Sequence, residues 1–404
     1  MAREKKIEKY DVVIIGGGAS GLTAGIYCGR ARLSTLIIEQ ALVGGIATNT
    51  NDIENYPGFP EGISGGGLMD LFHQQAKKFD VKFKLTNVKS VDFSGDVKKV
   101  ETFRNIFEAK SVIIANGSKP RVVGVPTEEQ FLGKGIAFCA TCDAASCTDK
   151  EVLVIGSGDA AIEEGMFLTK FASKVKVSVL HDEGVMDCNE IAKAAALANP
   201  KMEFLWNTVV DSYEGGEKLE RVNLKNLKTG EIMPVDCYTC FLFIGFIPNT
   251  EIYKGIIKMT DKGYVITDEE MRTYVSGVFA AGDVRDRFLR QVATCVGDAA
   301  TAGVMAEKYI AESEIFESQI MKGNGIAYVY NAAEQEQREM LPMIEELENL
   351  YQDYCCHRID TYKSDGLAER LGVESYPSIV VIKDGKIEKV IDNNICKTNI
   401  EANL

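Results

Sequence analysis

Apolar and polar positions near the N-terminus are arranged in a way that predicts a strand, a glycine turn, a helix and a second strand. The apolar run at residues 12–15 leads into Gly16, Gly18 and Gly21, which have the spacing G-x-G-x-x-G. In such folds the first glycine permits a tight turn, the second admits a pyrophosphate, and the third lets the helix pack on the strand. Glu39 closes the second strand, where a carboxylate can accept a hydrogen bond from a ribose hydroxyl. The pattern therefore predicts a dinucleotide site.

The same pattern recurs at residues 149–183. Gly156, Gly158 and Ala161 again lie between an apolar strand and a predicted helix. One chain therefore carries two βαβ nucleotide folds. The second set of glycines fits either of two roles: binding of a second nucleotide, or only close packing of helix against strand.

Three cysteines lie between the repeats, in "FCATCDAASC", and the first two have a characteristic spacing. The C-x-x-C spacing of Cys139 and Cys142 suits a redox dithiol, because two sulfurs so spaced can close a small disulfide ring. A structural zinc site would need two more ligands, and Cys237 and Cys240 are the alternative. They fall in a predicted buried strand, where residues three apart point to opposite faces. We therefore expect no metal.

Charge and cysteine content narrow the classes of function. The chain has 45 basic and 59 acidic side chains, a formal charge of −14. This charge argues against binding to nucleic acid or to an anionic membrane surface. The basic N-terminal lead, "MAREKK", runs into a strand without an apolar segment long enough for a signal peptide. Together with 11 cysteines, this favours a cytoplasmic location.

These motifs together resemble the low-molecular-weight thioredoxin reductases, over roughly the first 315 residues. The likeness rests on "FCATCD" and on four further segments: "ENYPGFPEGISGGGLMD", "SVIIANGSKPRVVGVP", "FIGFIPNT" and "GVFAAGDVRDRFLRQVATCVGDAATAG". It implies an α/β fold with two Rossmann-like three-layer nucleotide-binding domains. Residues 1–119 and 247–315 would form the FAD-binding domain, and residues 120–246 an inserted nicotinamide-type domain with the dithiol. The resemblance also implies a homodimer.

The resemblance assigns site residues as well. The FAD contacts would fall on Gly16, Gly18, Ser20, Gly21, Glu39, Gly45, Asn55, Val88, Gly282, Asp283, Arg290, Gln291 and Val292. Cys142 matches the cysteine that lies against the flavin, and Cys139 is its disulfide partner, presented to substrate. Asp143 matches the acid that returns a proton during exchange, with a helix N-cap as its alternative role. The implied reaction passes two electrons from FAD to Cys139–Cys142 and on to a thioredoxin-like protein.

The nicotinamide end departs from the family's pattern. The family grips the 2′-phosphate of NADPH with arginines in the arrangement H-R-R-x-x-x-R, whereas this chain reads "HDEGVMDC". Asp182 and Glu183 would repel that phosphate, so we expect no efficient use of NADPH. In one interpretation Asp182 accepts from the free ribose of NADH, with Gly156 and Gly158 at the pyrophosphate.

In the favoured interpretation a ferredoxin-type protein reduces the flavin, as in a known subgroup of such flavoproteins. A hypothesis of another class makes the chain a flavin-bearing redox sensor or scaffold.

A separate resemblance covers residues 323–404. After "ESQIMKGNG", predicted to be a short flexible linker, a strand "IAYVY", a helix from about Glu334 to Tyr354, a strand at "HRIDTY" and a helix "GLAERLG" resemble a thioredoxin domain. Tyr376-Pro377 falls where that family has its cis-proline. Residues 334–337 read EQEQ where the family has its cysteine pair. The resemblance therefore implies a thioredoxin-like α/β domain without active-site cysteines, suited to docking.

Overall fold

The computed structural model describes residues 5–50 and 53–404, without the side chain of Asn49. The first four residues of the basic lead lie outside the described residues. The chain divides into two compact units, Met1–Gly303 and Val304–Leu404. No helix in the described part of the chain is long and apolar enough to cross a membrane.

The elements are numbered in chain order. The strands are β1 Lys6–Ile15, β2 Thr35–Glu39, β3 Lys82–Leu85, β4 Val88–Asp92, β5 Lys98–Thr102, β6 Asn105–Ile114, β7 Ser118–Pro120, β8 Ile136–Ala137, β9 Glu151–Ile155, β10 Lys174–Val179, β11 Met202–Trp206, β12 Thr208–Gly215, β13 Leu219–Asn226, β14 Ile232–Asp236, β15 Thr239–Leu242, β16 Phe246–Pro248, β17 Val278–Ala280, β18 Gly325–Tyr330, β19 Cys355–Asp360, β20 Ser378–Lys383 and β21 Lys386–Ile391. The helices are α1 Ala19–Arg30, α2 Gly65–Lys78, α3 Glu128–Phe131, α4 Ala140–Asp143, α5 Asp159–Leu168, α6 Glu190–Leu197, α7 Val292–Ile315, α8 Gln335–Arg338, α9 Leu341–Leu350, α10 Asp365–Arg370 and α11 Lys397–Glu401.

The first unit is built on two sheets of parallel strands, the larger of which also carries the antiparallel strands β4 and β5. In the larger sheet the order is β3-β2-β1-β6-β5-β4, and β17 pairs with the end of β6. β1 runs parallel to β2 and β6, with Val13 opposite both Leu36 and Val112. Residues 12–15 are buried because the strand is covered on both faces, which explains their continuous apolar run. This confirms the first predicted nucleotide fold.

The second parallel sheet has the order β11-β10-β9-β15-β8. It confirms the second predicted fold, with β9 leading into Gly156 and α5 following Gly158. An antiparallel sheet, β12-β13-β14, is inserted before β15. The two chain crossovers between the parallel sheets pair as a ribbon, with Ser118 of β7 opposite Pro248 of β16.

The predicted strand through Cys237 and Cys240 is shorter than expected. β15 begins at Thr239, so Cys237 lies in the turn after β14. Both thiols are buried, and burial raises the pKa of the Cys237 thiol to about 12. Among the described residues, no cluster of His, Cys, Asp and Glu side chains could hold a metal ion.

The second unit contains the end of α7 and a four-stranded sheet. Its order is β19-β18-β20-β21, with β18 parallel to β19 and antiparallel to β20. The peptide bond between Tyr376 and Pro377 is cis. The predicted single helix from Glu334 to Tyr354 is wrong: α8 and α9 are separate. Pro342 in the first turn of α9 lacks the N–H that would continue α8.

The predicted flexible linker is also wrong. Phe316–Ile320 forms a π-helical turn that continues α7. Ile320 is 2% exposed and packs with Ala327 and Ile359 in the apolar core of this unit, and Phe316 packs against the same core. The segment is therefore part of the core of the second unit.

Replacing Ile320 with alanine tests this anchoring. We expect Ile320→Ala to destabilise the second unit by about 2–5 kcal/mol, because it opens a cavity in a packed core. Ile315→Ala is the matched control, since Ile315 is 39% exposed and should cost about 0.5 kcal/mol or less. Hydrogen–deuterium exchange of the β18 and β20 amides in the full-length protein reports the loss. Equal exchange in the two variants would show that residues 316–320 are not anchored.

Candidate active site around the Cys139–Cys142 disulfide

The first glycine turn brings backbone into close contact. Gly16 has φ +110°, and a side chain there would overlap the carbonyl of Ala115. A side chain on Gly21 would overlap the carbonyl oxygen of Gly16. The Glu39 carboxylate accepts a hydrogen bond of 2.8 Å from the Gly17 N–H, which fixes it beside the turn. The predicted ribose acceptor and the predicted pyrophosphate seat are therefore adjacent.

Two further glycines adjoin this turn. Gly18 and Gly44 form an isolated parallel bridge. Gly45 has φ +63°, and a Cβ there would lie 3.1 Å from Gly18 Cα. Gly282 has φ +78°, and a Cβ there would overlap the Oγ of the buried Ser20. Backbone thus lines the predicted dinucleotide seat at positions where side chains would close it.

Polar groups beside this seat suit a bound dinucleotide. Burial raises the pKa of Asp283, whose carboxylate accepts a hydrogen bond of 3.4 Å from the Cys295 thiol. Among the described residues, the Arg290 Nε is buried without a hydrogen-bond partner, and its guanidinium lies over the Tyr264 ring. Buried polar groups of this kind normally have partners. The residues therefore fit a polar cofactor in this seat.

The C-x-x-C pair lies against two other residues that are predicted to contact FAD, Asn55 and Gln291. Cys139 and Cys142 form a disulfide that spans α4. The Gln291 Nε2 lies 3.9 Å from the Cys139 sulfur and donates at 3.4 Å to the Thr141 hydroxyl. Its Oε1 accepts from the Asn55 amide at 3.2 Å. Asn55, Gln291 and the disulfide, distant in sequence, are therefore brought together.

Two further residues, Val292 and Val88, are predicted to contact FAD. Val292 is the first residue of α7, directly after Gln291. Val88 begins β4 and packs in the apolar core with Val91 and Val100.

Asp143 ends α4, directly after Cys142. Burial raises the pKa of its carboxyl from 3.8 to about 6. Cys139 occupies the N-cap position of α4, so Asp143 is not an N-cap there. A carboxyl that is partly protonated near neutral pH and adjacent in sequence to a redox sulfur can donate a proton to a leaving thiolate.

A loop closes over the second glycine turn. Gly156 has φ +126°, and a Cβ there would lie 2.7 Å from the Phe243 carbonyl oxygen. Asp187 bridges Gly158 as Gly44 bridges Gly18 in the first turn. Its Oδ2 accepts from the Ser157 hydroxyl at 3.1 Å and lies 2.9 Å from the His181 Nε2. The Asp187 carboxylate therefore lies at the second turn in the place that Gly44, which has no side chain, takes at the first turn.

Asp182, the predicted ribose ligand of the second nucleotide fold, already has a partner. Asp182 forms an ion pair with Lys228, whose ammonium lowers the pKa of the carboxyl. Sequence reasoning missed Asp187, although it falls at the third arginine of the pattern H-R-R-x-x-x-R counted from His181. With Asp182 and Glu183, acids therefore replace all three arginines.

Comparison with known proteins finds one matching family and several similar chains. The family described as pyridine nucleotide-disulphide oxidoreductase matches residues 10–299. The thioredoxin reductase of Peptoclostridium acidaminophilum is 40% identical over 307 residues, covering 74% of this chain and 97% of that protein. The thioredoxin reductase of Bacillus subtilis is 40% identical over 310 residues, covering 76% of this chain and 96% of that protein. The crystal structure of thioredoxin reductase from Streptococcus pyogenes superposes with a TM-score of 0.71 at 41% identity, covering 75% of this chain and 98% of that one.

Gly282→Ala tests the predicted flavin seat. We expect the variant to be purified without flavin, because alanine is strained at φ +78° and its Cβ would overlap Ser20. Gly297→Ala, in α7, is the control, because a Cβ there meets no heavy atom of the other described residues within 4 Å outside its helix. The ratio of visible flavin absorbance to protein measures the result. Full flavin content in Gly282→Ala would show that the seat lies elsewhere.

Asp143→Asn tests proton donation by this carboxyl, whose pKa is raised by burial. With dithiothreitol-reduced protein, we expect the variant to reduce an aliphatic disulfide about 100-fold more slowly than wild type, because the leaving thiolate needs a proton. An aromatic disulfide is the matched control, since its leaving thiolate is stable without one. In wild type, the rate of reduction of the aliphatic disulfide, divided by that of the aromatic disulfide, should fall as the pH rises through about 6, because Asp143 loses its proton there. Equal slowing with both disulfides would contradict this role.

Proposed function

The chain belongs to the pyridine nucleotide-disulphide oxidoreductase family, as a relative of thioredoxin reductases, and we propose that it is an FAD-dependent reductase of protein disulfides. One observation carries the proposal. Gln291 joins Asn55 to the Cys139–Cys142 turn, so the redox disulfide lies against two residues that are predicted to contact FAD. That placement suits direct electron transfer into the disulfide.

The first glycine turn and the segment around Gly282 would hold the cofactor. Gly16, Gly18 and Gly21 would receive the pyrophosphate at the N-terminus of α1, and Glu39 would accept from the ribose. Asp283 and Arg290 would supply buried polar groups for the rest of the cofactor. Bound FAD would supply two electrons to the disulfide.

The chain's own side chains carry out the exchange. With two electrons and two protons, Cys139–Cys142 becomes a dithiol. The Cys139 thiolate attacks one sulfur of the substrate disulfide, whose other sulfur leaves and takes a proton from Asp143. Cys142 then attacks Cys139, re-forms the ring and releases the second substrate sulfur as a thiol. The protein substrate gains the two electrons and two protons that the pair loses.

The domain assignment stays as predicted. Residues 1–119 and 247–315 form the FAD-binding domain, and residues 120–246 the inserted domain. The ribbon of β7 and β16 supports this assignment, because the two crossovers that bound the insertion pair with each other. We also keep the predictions of a homodimer and a cytoplasmic location.

The electron donor is a protein of ferredoxin type. Support comes from the carboxylate of Asp187 beside the second glycine turn, since a dinucleotide pyrophosphate would meet a like charge there. This repulsion applies to NADH as well as to NADPH, and Asp182, the ribose acceptor that NADH would need, is already paired with Lys228. NADH remains the second candidate, because Gly156 and Gly158 keep the backbone of a nucleotide turn.

The second unit is a thioredoxin-like domain that docks a partner without thiol chemistry. Its sheet order and its element order β18-α8-α9-β19-α10-β20-β21-α11 support the fold. At the position of the family's cysteine pair, the Gln337 side chain accepts from the Asn331 N–H at 2.8 Å and donates to the Tyr376 carbonyl at 3.4 Å. Gln337 thus makes a structural contact where a thiol would react.

Anaerobic reduction of the flavin tests the donor. We expect photoreduced ferredoxin to bleach the flavin at least about 10-fold faster than NADH or NADPH, because acids oppose the phosphates. The triple variant Asp182→Arg, Glu183→Arg and Asp187→Arg should gain NADPH reduction. Cys142→Ser is the control: its flavin should still bleach, but it should reduce no protein disulfide. Fast bleaching of wild type by NADPH would contradict the assignment.

A further inference from the structure

The first amide of the C-x-x-C turn is bonded to the second nucleotide fold. Ala140, between Cys139 and Thr141, is fully buried, and its N–H donates to the Glu164 Oε2 at 2.8 Å. Glu164 belongs to α5, the helix after the second glycine turn. A charge-assisted hydrogen bond of this kind is short and directional. It ties the redox turn to a helix that starts 20 residues later.

The position of Glu164 on α5 follows from the apolar face of that helix. Ala161, Gly165 and Leu168 are buried against the second sheet. Glu164 lies at the margin of this face, where burial raises the pKa of its carboxyl and the Ala140 hydrogen bond opposes that rise. Glu163, its neighbour, is exposed. Two adjacent glutamates thus differ in contact with the redox turn, which supplies a matched pair for experiment.

The bond bears on the ionisation of the thiols. In C-x-x-C turns, nearby amide N–H groups lower the pKa of a cysteine by stabilising its thiolate. Here the Ala140 N–H is directed at Glu164 instead of a sulfur. A carboxylate close to the turn also disfavours a second negative charge on a sulfur. Both effects favour the protonated thiols.

The charges on the elements around the turn act in the same direction. Asp143 lies on α4 itself, Cys147 in the 3-10 turn Ala145–Cys147, and Glu163 and Glu164 on α5. None of these three elements carries a lysine or arginine. On the other side, Asn55 and Gln291 are neutral.

We propose that Glu164 is a positioning residue for the dithiol, which directs the Ala140 N–H away from the sulfurs and keeps the reduced Cys139–Cys142 pair in its thiol form. The inference rests on the proposed function, because it concerns the reduced state of the same cycle. A dithiol whose reduced form is strongly stabilised is a poor reductant. Because the Ala140 N–H is bonded to Glu164, it does not stabilise a thiolate, and the reduced pair remains suited to giving electrons to a substrate.

Alkylation of the reduced pair tests this role without any electron donor or protein substrate. Dithiothreitol reduces the holoenzyme anaerobically: its two thiols close to a cyclic disulfide, and two electrons and two protons pass to Cys139–Cys142. After desalting, iodoacetamide is applied across a range of pH, and peptide mass spectrometry follows the two cysteines. In Glu164→Gln, which keeps an acceptor but removes the charge, we expect the pH of half-maximal rate to fall by about 0.5–1 unit. At pH 7 the rate should rise about threefold or more. Glu163→Gln should match wild type.

Two results would overturn the inference. One is a Glu164→Gln profile that coincides with wild type, and the other is an equal shift in Glu163→Gln, which would indicate general surface charge. Glu164→Ala is a second variant: it also frees the Ala140 N–H, so it should shift the profile at least as far as Glu164→Gln. Reduced wild-type protein that passes no electrons to a disulfide would overturn the proposed function instead, and the alkylation profiles would still decide the role of Glu164.

Discussion

The close backbone contact between Gly16 and Gly21 is the constraint on which the first unit depends. Because neither residue has a side chain, α1 can begin directly after the end of β1. Other contacts are arranged around this turn: Glu39 accepts from the Gly17 N–H, and the Gly44 N–H donates to the Gly17 carbonyl at 2.7 Å. A side chain at either glycine would displace the helix, and with it the N–H groups at the N-terminus of α1 that line the predicted cofactor seat.

The second turn keeps the backbone constraint but differs in charge. Gly156 is required where it lies, because its φ is +126° and Phe243 closes over it. Packing alone therefore requires glycine at this position, whether or not a nucleotide binds. The difference lies in residues 182–187, where three acids stand at the positions of the three arginines in the pattern H-R-R-x-x-x-R. A fold can keep its glycines while its donor site changes, because these two requirements fall on different residues.

Local features of the sequence predicted most of the first unit. Apolar runs and glycine spacing predicted both βαβ folds, because these depend on residues close together in the chain. The contact between Gln291 and Cys139 and the bond between Glu164 and Ala140 depend on tertiary packing, so no local pattern encodes them.

In the second unit, apolar spacing at residues 316–320 indicates the structure better than glycine content does. The glycines of "ESQIMKGNG" suggested a linker, but Phe316 and Ile320, four residues apart, already had the spacing of one helix face. The assigned roles of the site residues stay predictions, because geometry shows where a side chain lies and not what it transfers.

Two carboxyls near the disulfide have different tasks in this arrangement. Asp143 follows the cysteine pair and has a pKa near 6, so it can exchange a proton at neutral pH. Glu164 is bonded to a backbone amide, and its charge opposes ionisation of the sulfurs. A reductase needs both effects, because its dithiol must remain easily oxidised while each departing substrate sulfur receives a proton. Since α5 supplies Glu164 and also follows the second glycine turn, that nucleotide fold keeps a role at the dithiol even when no nicotinamide binds to it.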